Sequence, residues 1–139
     1  RVRTQVAPGC PEVLCDRTMV EQVLLNLARN GMQAMPDGDP PLSSGLRVLS
    51  LVISPRPVPA SDTDVPRKAW VEFVVTDHGR GLSDEVREKL FTPFFTTKTE
   101  GMGLGLSLCR TVIEQHGGAL TFEPAQPRGT VFRFTLPAA

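Results

Sequence analysis

The sequence predicts an α/β fold. The expected form is a two-layer α/β sandwich, with one mixed, mostly antiparallel sheet of about five strands and about three helices on one face. Three observations carry that expectation. Helical and strand periodicities both occur, and the strands are largely consecutive rather than alternating one by one with helices. The 139 residues suit one domain, residues 1–139, because a chain of this size buries about two thirds of its unfolded surface. The structure breakers are grouped: seven of 13 prolines fall between Pro36 and Pro66, and five of 12 glycines fall within 79–81 and 101–105.

A first helix is expected from about Thr18 to Met35. Thr18 and Glu21 have the spacing of a capping box, and Pro36-Asp37-Gly38 supplies the stop. Val20, Val23, Leu24, Leu27 and Ala34 recur at helical spacing and form its buried stripe. The stretches 36–45 and 55–68 read as loops, since proline fixes φ and has no amide hydrogen. Strands are expected over Leu46–Ile53 and Trp70–Thr76, both rich in branched apolar residues. A short helix from about Asp84 to Lys89 has Ser83 as its cap and acids in its first turn. A third helix covers about Gly103 to His116, with Leu104, Leu108 and Val112 in register and Gly117-Gly118 as its end. Strands near Ala119–Glu123 and Thr130–Leu136 follow, with Phe132, Phe134 and Leu136 alternating against Val131, Arg133 and Thr135.

Fifteen Lys plus Arg balance fifteen Asp plus Glu, so the formal net charge is zero. That balance argues against a nucleic-acid surface and against an acidic solvating tail, which both need one sign in excess. No apolar run approaches the ~20 residues that span a bilayer, and neither a secretory leader nor direct membrane contact is expected. Cys10, Cys15 and Cys109 make an odd count, and no further Cys or His pair beside the first two completes a zinc knuckle. A cytoplasmic, reducing environment is expected. The chain opens on Arg1 rather than Met and reads as a piece of something longer.

Three clusters carry chemistry. In the first helix, Asn26 and Asn30 are four residues apart, about 40° around the axis, and Gln33 extends their strip. The pattern alone also describes a solvated polar face. Asn is a poor helix former, however, and its amide oxygen is a hard ligand suited to Mg²⁺. The second cluster is D-H-G-R-G-L, Asp77 to Leu82, directly after a strand. Gly79 and Gly81 let the backbone turn sharply beside a planar ligand, and Asp77 offers two acceptor oxygens suited to the exocyclic amine of adenine. An ordinary Asp-Gly-type turn has the same sequence, and His78 and Arg80 are expected to point to solvent. The third cluster is G-M-G-L-G-L, Gly101, Gly103, Leu104 and Gly105 among them, at the start of a helix. Free amides there, with the helix dipole, make an anion site suited to a triphosphate. No G-K-[ST] follows, so this is not a Walker loop. Upstream, F-T-P-F-F-T-T-K places aromatic residues and a lone cation, Lys98, before the glycines. Core or lid packing explains the aromatics, and Lys98 either reaches phosphate or is solvated.

In this order the clusters resemble the catalytic and ATP-binding domain of sensor histidine kinases, within the superfamily of gyrase, heat-shock-90 and mismatch-repair ATPases. N-L-A-R-N resembles the family's N box, D-H-G-R-G its first glycine box, F-T-P-F-F its F box and G-M-G-L-G-L its second glycine box. The closing G-T-V-F-R-F-T-L-P resembles the usual last strand, so the likeness spans about Val13 to Pro137. The resemblance implies a Bergerat-type fold, ATP and Mg²⁺ as ligands, and a lid over about Thr96 to Met102. It implies that Asn30 binds Mg²⁺, that Asn26 supports phosphates or metal, and that Asp77 holds the adenine amine. Gly79, Gly81 and Thr130 would shape that pocket, while Gly101, Gly103 and Gly105 would contact phosphates. The run from Phe94 to Arg110 is similar to short-lid kinases related to oxygen and dicarboxylate sensors. Two positions depart from the family pattern: Gly31 stands where Ala is frequent, and Gln33 where a basic residue is frequent. The first should cost helix stability, and the second puts more weight on Lys98, the backbone amides and Mg²⁺.

The superfamily's hydrolases and serine kinases resemble one another in placing a Glu four residues before the metal Asn, where this chain has Asn26. Glu21 lies five residues away, about 140° around the helix, and is expected to be occupied in the capping box. An Asn cannot take a proton from water or serine, whereas a neutral imidazole needs no base. The resemblance therefore implies γ-phosphoryl transfer to a histidine on a separate dimerisation domain, for relay to a response-regulator aspartate. His78 and His116 are each followed by Gly rather than by the family's acidic residue, so neither is expected to be the acceptor. His116 is expected to end a helix, where a cation suits the dipole. The alternatives are a nucleotide-binding module without turnover and an ATPase of the same superfamily.

Overall fold

The computed structural model describes residues 2–8, 10, 13, 15–35, 44–45, 48–56, 70–79, 81–89 and 105–137. Among them, β1 (Val2–Val6), β2 (Leu49–Arg56), β3 (Trp70–Asp77), β4 (Leu120–Pro124) and β5 (Thr130–Pro137) form one sheet in the order β1-β2-β3-β5-β4. β1 pairs with β2 in parallel, and the other three pairings are antiparallel. The helices are α1 (Arg17–Gln33), α2 (Asp84–Lys89) and α3 (Gly105–Gln115), with α1 and α3 packed on each other and on the sheet.

Strand alternation decides which face they cover. In β3, Val71, Phe73, Val75 and Asp77 are buried while Trp70, Glu72, Val74 and Thr76 are half-exposed. The register sets Val71 beside Leu136, Phe73 beside Phe134 and Val75 beside Phe132, so both central strands point apolar side chains the same way. The rings of Phe73 and Phe134 stack with centroids 4.6 Å apart. Val20, Val23 and Leu27 of α1 and Cys109 and Ile113 of α3 close this core. Each large side chain buried there contributes roughly 1.5–3 kcal/mol.

Four elements differ from expectation, each for a local reason. The N-cap of α1 is Asp16, not Thr18: its side chain accepts the Met19 N–H at 3.0 Å. Glu21 is not the partner of a capping box; it is exposed and pairs with Arg17 Nε at 2.8 Å. In the predicted box Glu21 would reach back to the cap's own N–H, but the true cap's N–H donates to Nε2 of His116 at 2.9 Å. β2 begins at Leu49 and runs to Arg56, so Pro55 and Arg56 belong to a strand rather than to the 55–68 loop. Proline is tolerated there because the β1 pairing ends at Ile53, leaving that side of β2 open. β1 had no individual prediction, although V-R-T-Q-V alternates. In α3, Leu108 is 50% exposed; Cys109 and Ile113, four residues apart, form the buried line. Leu108 is rotated about 100° from Cys109 on the helix.

The bounds of α2, the end of α3 at Gly117-Gly118 and the start of β5 at Thr130 agree with the sequence expectation. Gly118 N–H closes α3 by donating to the Ile113 carbonyl at 3.0 Å, with Gly117 at φ +84°. Residues 36–43 and 57–68 of the expected loops, and the whole of the 96–102 lid, lie outside the described residues.

Candidate functional site between α1 and the end of β3

β3 ends on Asp77, whose side chain is on the helix-covered face and only 4% exposed. Its Oδ1 accepts the N–H of Gly79 at 2.8 Å, the short-range turn an Asp side chain builds with the backbone two residues on. Thr130, its cross-strand partner on β5, is also buried and gives Asp77 a second backbone N–H. Burial pushes the Asp77 carboxyl above the usual carboxylate range. The Gly79 and Thr130 amides, and then His78 and Arg128, pull it back. The result is a buried acceptor fixed in direction by backbone.

Two glycines let α1 approach this acceptor. A Cβ on Gly79 would lie 2.3 Å from the Ala34 carbonyl oxygen and 2.6 Å from Ala34 Cβ, at the C-cap of α1. A Cβ on Gly31 would lie 2.5 Å from Leu49 Cδ1 and 3.3 Å from Asp77 Cβ. The departure at Gly31 thus has a packing counterpart, the seat of α1 against β2 and Asp77. Gly81 takes φ +75°, which glycine adopts readily.

Asn30, half-buried, immediately precedes Gly31, the residue by which α1 approaches Asp77. Asn26, one turn earlier, is half-buried and donates through Nδ2 to Sγ of Cys109 on α3 at 3.8 Å. Cys109 is buried, and burial pushes its thiol above the usual range while the Asn26 contact opposes it. The sulfur therefore meets Asn26 as a neutral thiol. Gln33 is exposed. Gly105 opens α3, two residues later than the expected helix start, while Lys98, Gly101, Gly103 and Leu104 lie outside the described residues.

Two sequence expectations about histidines are corrected. His78 is half-buried rather than turned to solvent, with Nδ1 3.1 Å from the Arg128 carbonyl oxygen. His116 holds the Val112 carbonyl through Nδ1 at 2.7 Å and accepts the Asp16 N–H on Nε2. That pair of partners requires the neutral Nδ1–H ring, not a cation. Three residues absent from the sequence-derived site also shape it: Cys109, Gly129 and Arg128, whose Nε donates to the Gly79 carbonyl at 2.8 Å. Gly129 has φ +109°, and a Cβ there would lie 2.0 Å from the Asp77 carbonyl oxygen. R-G before the closing strand was the available signal.

The sheet, the helix pair on one face and the buried carboxylate at a strand end define an α/β sandwich with a polar site between helix and sheet. Residues 15–139 match the family model described as histidine kinase-, DNA gyrase B- and HSP90-like ATPase, and the chain belongs to that family. It is 41% identical over its full length to sensor protein FixL of Bradyrhizobium diazoefficiens, covering 24% of that protein. It is 44% identical over 91% of its length to the C4-dicarboxylate transport sensor protein DctS of Rhodobacter capsulatus, covering 17% of it. The chain thus spans about a quarter or less of these relatives. Among solved structures, the catalytic domain of histidine kinase ThkA superposes with a TM-score of 0.70 at 33% identity, covering 99% of this chain and 78% of that one. No helix among the described residues is long and apolar enough to cross a membrane.

Proposed function

We propose that this chain binds Mg-ATP and serves as the catalytic domain of a sensor histidine kinase. Its γ-phosphoryl group would pass to a histidine on a separate dimerisation domain of the parent protein, then to a response-regulator aspartate. The observation that carries this reading is Asp77: a buried carboxylate aimed by the Gly79 and Thr130 amides. Such a group selects a ligand that brings a donor, and the exocyclic amine of adenine is one. Guanine presents a carbonyl oxygen there and would be repelled.

The donor set suits Mg²⁺ rather than a metal caged by the protein. No group of three or more His, Cys, Asp or Glu that could hold a metal occurs among the described residues. Mg²⁺ takes few protein ligands and keeps phosphate oxygens and water, so the Asn30 amide oxygen is a sufficient contribution. When bound, the ion neutralises charge developing on the phosphates. Asn26, tied to Cys109, supports the same region without accepting a proton, and Glu21, exposed and paired with Arg17, supplies no base from the first turn of α1. A histidine nucleophile needs none. Lys98, Gly101, Gly103, Leu104 and Gly105 would meet the phosphates with backbone amides and one cation. The cytoplasm, where ATP and response regulators are found, is the proposed compartment.

Calorimetry with non-hydrolysable ATP and GTP analogues, with and without Mg²⁺, tests the reading. The adenine analogue should bind, the guanine analogue should not, and Asp77→Ala should erase the difference. An unpaired amine in a buried pocket costs about 1–3 kcal/mol, so unchanged affinity in Asp77→Ala refutes the role given to Asp77.

A further inference from the structure

The sheet face opposite the helices carries a second polar site. Register places Arg3 of β1 beside Ser50 of β2, and Ser50 beside Thr76 of β3, in one row across three strands. These three line a cavity of about 260 Å³ together with Gly45, Val48 and His78. Among the described residues, no carboxylate lines it. Elsewhere on this face, Arg133 lies 3.7 Å from Glu72 and also bonds Glu123. Among the described residues, Arg3 by contrast has no ion-pair partner. Nδ1 of His78 lies 3.1 Å from the Arg128 carbonyl oxygen, which orients the ring at the rim of this cavity.

We propose that this cavity binds a small oxyanion, the carboxylate or phosphate group of a soluble metabolite. A guanidinium and two hydroxyls line it, all able to donate to oxyanion lone pairs, and no carboxylate among the described residues competes. Coulomb attraction to Arg3 supplies the sign preference and the hydroxyl row supplies direction. The location gives occupancy a consequence: Thr76 and His78 flank Asp77, whose side chain projects to the opposite face of the same strand end. A bound anion sits one peptide unit from the buried acceptor.

The test is a titration of the isotope-labelled chain with inorganic phosphate and, separately, with succinate, followed by backbone amide resonances. Saturable shifts at Ser50, Thr76 and His78 with either probe are expected, and the tighter probe identifies the source as phosphate or carboxylate. Arg3→Gln should weaken binding about tenfold or more, as expected for a hydrogen bond to a charged group. Arg133→Gln, on the same face but already paired with acids, should leave it unchanged. The proposal is overturned if neither probe moves these residues, if shifts gather only at the start of α3, or if Arg3→Gln binds as well as wild type.

Discussion

Gly79→Ala tests how the fold holds the acceptor. The new methyl would meet the Ala34 carbonyl oxygen at 2.3 Å, Ala34 Cβ at 2.6 Å and the Ala34 carbonyl carbon at 2.7 Å. Two of these atoms are backbone at the C-cap of α1, so no side-chain rotation relieves the overlap; the turn or the helix end must move. Overpacking of this kind costs about 1–3 kcal/mol. For a chain of this size that is roughly 3–12 °C in Tm. The same displacement pulls the Gly79 N–H from Asp77 Oδ1 and the Gly79 carbonyl from Arg128. Asp77 then loses its aim, and adenine-nucleotide affinity should fall about tenfold or more, the scale of a hydrogen bond to a charged group. Gly117→Ala is the control: its φ of +84° makes Ala strained, but no atom lies within 4 Å of the new methyl. It should lose about 1–2 kcal/mol of stability with affinity intact. Thermal melts and calorimetry with an ATP analogue read both quantities. Gly79→Ala with wild-type Tm and affinity, or equal affinity losses in both variants, would refute the reasoning.

Other variants probe separate links. Burial raises the Asp77 carboxyl, so the folded chain holds that proton more tightly than the unfolded chain. The stability it contributes is complete below the ordinary carboxylate value of about 4 and is lost as pH rises through the folded value. The Tm of Asp77→Asn relative to wild type, without nucleotide, should therefore rise with pH from about 4 upward; a flat difference contradicts the burial argument. His116→Ala removes the acceptor of the Asp16 N–H and should lower Tm by roughly 3–4 °C, about 1 kcal/mol, with an unchanged melt arguing against the link. Asn30→Ala should weaken binding of an ATP analogue more with Mg²⁺ than without it. Equal losses would mean damage to α1 rather than loss of a metal ligand.

What was legible in the sequence was local. α2 is bounded by acids at its start and bases at its end, α3 is followed by paired glycines, and β5 alternates from Phe132 to Leu136; each signal lies within or beside the element it defines. Asp77, Gly79 and Thr130 were readable for the same reason, as short motifs, and the fold brings them together at one end of β3. What was not legible depends on distant partners. Asp16 rather than Thr18 caps α1, and its N–H is taken by His116, 100 residues away. Arg128 reaches Gly79 across 49 positions, and Cys109 meets Asn26 across 83. The end of the β1 pairing made Pro55 acceptable in a strand, and no window around Pro55 contains β1.

We propose a kinase domain whose phosphoryl acceptor lies on a separate domain. Both ring nitrogens of His116 are engaged, and His78 is followed by Gly79 rather than by an acidic residue. The most direct measurement incubates the chain with γ-labelled ATP and Mg²⁺, alone and with the parent's histidine-bearing dimerisation domain supplied separately. Label should appear on the supplied domain's histidine and nowhere on this chain. Label on His78 or His116, or rapid phosphate release with no transfer to the supplied histidine, would contradict it.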